Sequence, residues 1–150
     1  MRNVAAVAVG ILVAFVLVLL IMFGILAPVL SWLFQIEPSP SAVRNFAPLA
    51  LFVCAVAFYF GGMAGAYKAP DRHLLHGTLV APVAFVLSPL VNLLAGKTPF
   101  PGVDSVGTAL LVVAFLAASV VAAFVGSRRG NAIRVHNEGV LRRMRRAKRA

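Results

Sequence analysis

Hydrophobic positions in this chain fall in four long blocks, not in the strict alternation of strands or the one-sided stripe of a surface helix. The blocks are Val4–Phe34, Phe46–Tyr67, Leu74–Ala95 and Val106–Val125, and none contains Asp, Glu, Lys or Arg. A helix needs about 20 residues to cross a hydrocarbon core of about 30 Å, and every block reaches that length. A helix also satisfies its own backbone hydrogen bonds, as a segment in lipid must. The pattern therefore predicts an all-α, integral membrane four-helix bundle over residues 1–127, with helices at about 4–34, 46–67, 74–95 and 106–125. A short basic tail, 128–150, follows.

The first block could be mistaken for a secretion signal. Its apolar run exceeds the usual core of about 7–15 residues, and no A-x-A-like site closes it, so a retained helix is expected. At about 1.5 Å per residue it would span roughly 46 Å, so it must tilt or lay its turns after Pro28 in the interface. Trp32 and Phe34 suit the headgroup level.

Composition agrees with the pattern. The chain is 61% hydrophobic and 12% charged, against about 45–50% and about 25% in soluble domains. Charge then sets orientation. Arg2, Lys68, Arg72 and the nine basic residues beyond Ser127 fall on one side of a four-span chain; only Arg44 and Lys97 fall on the other. Lys and Arg stay cytoplasmic, which places both termini in the cytoplasm of a bacterial plasma membrane. The outer loops, Gln35–Asn45 and Gly96–Ser105, are short and Pro-rich, too small for a receptor domain.

Apolar helices in lipid associate through small residues that let backbones approach. Small-residue stripes run along Ala6, Gly10 and Ala14; Ala57, Gly61 and Gly65; Gly77, Ala81, Ala84 and Ser88; and Ala114, Ala118, Ala122 and Gly126. Gly61, Gly65, Gly77, Ala81, Ala118, Ala122 and Gly126 are the expected packing positions. Cys54, the single cysteine, is expected to be an inert packing residue.

The third block carries Pro82 and Pro89, which free the carbonyls of Thr78 and Phe85 and favour a bend. With Thr78, Ser88 and Asn92 nearby, two readings stay open: a helix lining a cavity, or a bent packing element.

The densest local pattern runs from Gly61 to Gly77: G-G-M-A-G-A-Y-K-A-P-D-R-H-L-L-H-G. It predicts a tight hairpin with Asp71 as the N-cap of the third helix. The segment resembles a group of small, functionally uncharacterised four-helix bacterial membrane proteins with a G-G-x-x-A-G segment, a short basic loop and a His-Gly pair opening the next helix. Gly61, Gly62, Ala64, Gly65, His76 and Gly77 carry the resemblance. Where such proteins often have Arg after the A-G, this chain has Ala66-Tyr67-Lys68. The resemblance implies a fold and no activity.

His73 and His76 lie three apart, without a third strong ligand nearby, so hydrogen bonding at the interface is expected and neither metal nor cofactor. In the tail, Val140, Leu141, Met144 and Ala147 form a narrow apolar stripe. Arg142, Arg143, Arg145, Arg146, Lys148 and Arg149 surround it, as in a basic amphipathic helix on anionic lipid headgroups. Without Phe, Tyr or Trp the tail lacks a base-stacking platform, and nucleic acid is not the expected partner.

No Asp, Glu, Lys or Arg lies inside a block, which argues against ion-coupled transport. No Ser/His/Asp set, phosphate loop or HExxH motif points to an enzyme. Three functions remain: a structural or accessory subunit packing in a homo-oligomer or larger membrane complex, a lipid or small-molecule passage protein using the third helix, or a holin-like pore former.

Overall fold

The computed structural model describes residues 2–34, 47–100, 103 and 105–147. All regular structure among them is helical, and four helices are long and apolar enough to cross a membrane. The first is built from an α-helix Arg2–Leu19, a π-helical stretch Leu20–Leu26 and an α-helix Ala27–Phe34. The second is Ala47–Lys68, the third His73–Leu94 and the fourth Val106–Ala147. The loop expected at Gln35–Asn45 lies outside the described residues.

The π-helical stretch was not foreseen. Pro28 follows it by two residues; its ring crowds the carbonyl four residues back, at Gly24, and it offers no N–H. A widened turn moves that carbonyl clear, and Ala27 N–H bonds to the carbonyl of Met22 in the longer register. The third helix runs on through Pro82 and Pro89.

The second helix is the axis of the fold. The first, third and fourth helices all pack on it, and the third also touches the first and fourth. The first and fourth make no close backbone approach to one another among the described residues. The cross-section is thus a rhombus whose short diagonal is the second–third pair. Its core gathers Ala14, Phe58, Val80, Ala81 and Ala123.

Burial is uneven along the bundle. The second helix carries buried residues from Ala50 to Ala66. The third has no buried residue after Ala81 and the fourth none before Ser119. In the first helix Ala6, Gly10 and Ala14 are buried, and no residue from Phe15 to Trp32 is. Close packing therefore sits at the end holding the start of the first helix and the hairpin. Apolar side chains at the other end, such as Leu90, Val91 and Val113, stand exposed.

Three expectations change here. The N-cap of the third helix is Arg72, not Asp71. Arg72 adopts a left-handed conformation (φ 40°, ψ 45°), and no side chain caps the helix. Pro70 and the tight turn place the chain reversal one residue later than the Asp signal suggests. Asp71→Ala is therefore expected to change the melting free energy by less than about 0.5 kcal/mol, where loss of a true N-cap costs about 0.5–2. A thermal melt of the detergent-solubilised protein checks this; a cap-sized loss would restore Asp71 to that role.

Second, the boundary expected after Ser127 falls inside one continuous helix of 42 residues. At about 1.5 Å per residue it is roughly 63 Å long, twice a hydrocarbon core. Arg142, Arg143, Arg145 and Arg146 lie on its last turns, exposed; Lys148 and Arg149 lie outside the described residues. Third, the buried line of the fourth helix is Ser119, Ala123, Gly126, Ser127 and Gly130. Ala118 and Ala122 flank that line, half-buried, and Ala114 is exposed.

Candidate functional site

The chemistry-bearing residues converge at the close-packed end. There the hairpin between the second and third helices is held from one side by the first helix and from the other by the fourth. Glycines set the spacing. On one seam Gly10 and Gly61 oppose each other so closely that a Cβ on either would lie 2.7 Å from the other's carbonyl oxygen. Val80, fully buried, fills the hollow among Gly10, Gly61 and Gly65. On the opposite seam Gly126 faces the backbone of Tyr59, Gly62 that of Ala123, and Gly130 that of Met63. A Cβ at any of these three would overlap a carbonyl oxygen. Gly77 closes the centre, with space for no Cβ against Ser127, the Gly62 carbonyl and Ala66. Gly61 and Gly62 are neighbours in sequence, about 100° apart around the helix, so one face meets the first helix and the next the fourth.

Where this seam leaves the apolar block, Arg134 takes over. Its Nη1 donates to the carbonyl oxygen of Ala69, just past the second helix, where helix carbonyls lack intrahelical partners. The same nitrogen donates to His73 Nδ1 at 2.9 Å. Because arginine only donates, Nδ1 accepts and the His73 proton sits on Nε2. Arg134 Nε pairs with Glu138 at 2.8 Å, one turn on. The guanidinium, by hydrogen bond and by charge, holds the Glu138 carboxyl below its ordinary range. Asn137 adds a long bond, 3.4 Å, to the Tyr67 hydroxyl. One helical face from Arg134 to Glu138 thus clips the hairpin shut.

The histidines serve the hairpin. His76 is buried, and its Nδ1 donates to the Arg72 carbonyl at 3.1 Å, beside the bond from its own backbone N–H. Thr78, expected as a cavity residue, donates its hydroxyl to the Leu74 carbonyl at 2.7 Å and lies 3.5 Å from the Ser127 hydroxyl. Ser127 in turn donates to Phe124 at 2.7 Å. Asn92 donates to the Pro99 carbonyl at 3.1 Å, tying the following turn to the third helix, and Ser88 is exposed.

A cavity of about 460 Å³ opens at this end. Ala5, Ala6 and Val9 of the first helix line it, with Tyr67, Lys68, Ala69 and Pro70 of the hairpin and Arg134 of the fourth helix. It occupies the space left because the first and fourth helices do not meet. Thr78, Ser88 and Asn92 take no part in it, so the cavity is not on the proline-bearing half of the third helix.

Arg134 is not among the residues marked by the sequence, and Gly62 and Gly130 are not among the expected packing positions. Gly126 and Gly130 form a GxxxG pair that could have flagged the seam, and Arg134 with Glu138 has the i, i+4 spacing of a helix running past Ser127. No protein-family model, curated protein or solved structure matches this chain.

Proposed function

We propose that this chain is a structural or accessory subunit of the bacterial plasma membrane, with both termini cytoplasmic. We place it among the small four-helix bacterial membrane proteins that its Gly61–Gly77 segment resembles. It works as a scaffold, without catalysis. The close-packed end is a fixed hub, and the helices beyond it receive membrane helices of a larger complex or of further copies.

The observation that carries this reading is the one-ended burial. The second helix has buried positions from Ala50 to Ala66, while the third helix has none after Ala81 and the fourth none before Ser119. Small residues on the uncovered stretches, Ser88 and Ala114, stay exposed and offer the close backbone approach that holds helices together in lipid. Thr78, Ser88 and Asn92, the residues of the passage reading, do not line the cavity at the hairpin. The basic end of the fourth helix holds the unit near anionic headgroups and sets its orientation.

Photo-crosslinking in native membranes tests the assignment. A benzoylphenylalanine at Leu90 or Val113, both exposed, is expected to capture a protein of defined mass. Adducts with lipid alone at both positions would overturn the scaffold reading.

A further inference from the structure

The cavity between the first helix and the hairpin has a composition that the scaffold reading does not use. Its floor is apolar: Ala5, Ala6 and Val9 begin the first hydrophobic block. Its rim is cationic: Lys68 and Arg134. No carboxylate lines it; Asp71 is exposed beyond Pro70, and Glu138 is committed to Arg134 Nε. Lys68 has no ion-pair partner among the described residues, and Arg134, with Nε and Nη1 engaged, has no partner there for Nη2. The volume falls within the range of about 300–1,000 Å³ typical of small-molecule sites.

Position narrows the ligand. Lys68 ends a membrane-length helix, so the rim lies at the headgroup level while the floor faces the start of the hydrocarbon. A guanidinium edge and an ammonium beside one opening suit a phosphate oxygen pair. An apolar wall leading down the first helix suits an acyl chain.

We propose that this cavity holds the headgroup of one anionic phospholipid per chain, its phosphate between Lys68 and the unengaged edge of Arg134 and its chains leaving along Ala5 and Val9. The proposal is independent of the scaffold reading: a lipid seated here would join the first helix to the fourth, which do not otherwise meet.

Native mass spectrometry of the full chain in mild detergent, titrated with phosphatidylglycerol or phosphatidylcholine of identical acyl chains, tests it. One phosphatidylglycerol is expected to remain bound where phosphatidylcholine does not. Lys68→Gln should weaken retention about fivefold, the scale of one cation at an anionic surface. Ala5→Trp, which fills the apolar floor from an exposed position without changing charge, should abolish retention with an unaltered thermal melt. Changing Arg142, Arg143, Arg145 and Arg146 together to Gln should leave it intact. Equal retention of both lipids, retention unchanged in Lys68→Gln and Ala5→Trp, or loss in the tail variant alone would overturn the site. Binding of inorganic phosphate with no phospholipid retained would overturn the lipid as its source.

Discussion

A Gly126→Val chain is expected not to assemble its second and fourth helices. The added Cβ would overlap the carbonyl oxygen of Tyr59 and lie 2.8 Å from the carbonyl carbon and 3.1 Å from the Cα. All three atoms are backbone, so no rotamer change relieves the clash. The helices must move apart, and the approach of Ala123 to Gly62 and of Gly130 to Met63 goes with them. Overpacking costs about 1–3 kcal/mol where side chains can yield, and a backbone clash at the centre of a seam belongs at or above the top of that range. Against a total stability of about 5–15 kcal/mol, that is enough to empty the folded state of much of its margin. Size-exclusion profiles and thermal melts in detergent should show loss of the monodisperse species. Gly139→Ala is the control: nothing lies within 4 Å of its Cβ position, and helix propensity should make it neutral to stabilising by about 1 kcal/mol. A wild-type melt for Gly126→Val would mean that the second and fourth helices do not meet along this line.

The second large effect is expected at Arg134. Arg134→Ala removes the donor to Ala69, the partner of His73 and the counter-charge of Glu138 at once. Hydrogen bonds from a charged donor contribute about 1.5–3 kcal/mol, and leaving the Ala69 carbonyl unpaired adds to the loss. The hairpin should open before the bundle does. Trypsin is expected to cut after Lys68 or Arg72 much faster than in the wild type, while the apolar spans stay protected. Arg134→Lys should rescue poorly, because an ammonium cannot reproduce the planar fork that reaches three partners. The Glu138 arm has its own pH signature. Its carboxyl is held below the ordinary value in the folded chain, so its contribution is complete above that value and is lost as pH falls through the folded one. That arm is exposed and salt-screened, so its share is small. Unchanged tryptic sensitivity in Arg134→Ala would remove the clip from the account.

The four helices were legible because lipid imposes a length. Blocks of this size without a charge leave the backbone one economical choice, and their observed bounds lie within two residues of the expected ones at every end but the last. The end of the fourth helix was not legible from hydropathy. Polarity marks where a helix leaves the membrane, not where it stops: Arg128 to Ala147 contains no Pro, and Arg, Glu, Leu, Met and Ala all favour helix. That misplaced limit also hid Arg134, which acts only because the helix carries it back over the hairpin. The register of the fourth helix was legible only in part: Gly126 of the expected stripe lies on the buried line, with Ala118 and Ala122 beside it. In a stretch with Ala at 114, 117, 118, 122 and 123 and Ser at 119, several four-residue stripes fit equally, and only the partner's shape selects Ser119, Ala123 and Gly126. Glycine is the more informative residue there, because it marks approach closer than Ala allows.

Pro28 and Asp71 show the limits of local rules in the same way. The length of the first block sets only that it tilts or lays its turns after Pro28 in the interface; the widening over Leu20–Leu26 is a local adjustment that block length does not encode. An Asp after Pro is a good cap in isolation, yet here the turn is closed by Arg72 and held by His76 and Arg134.

The scaffold assignment is most directly tested by native mass spectrometry of the protein extracted from its own membrane in mild detergent. The account predicts a defined assembly, either several copies of this chain or one copy in fixed ratio with a second membrane protein. A lone chain, stable and monodisperse at every detergent concentration that preserves the fold, would contradict it.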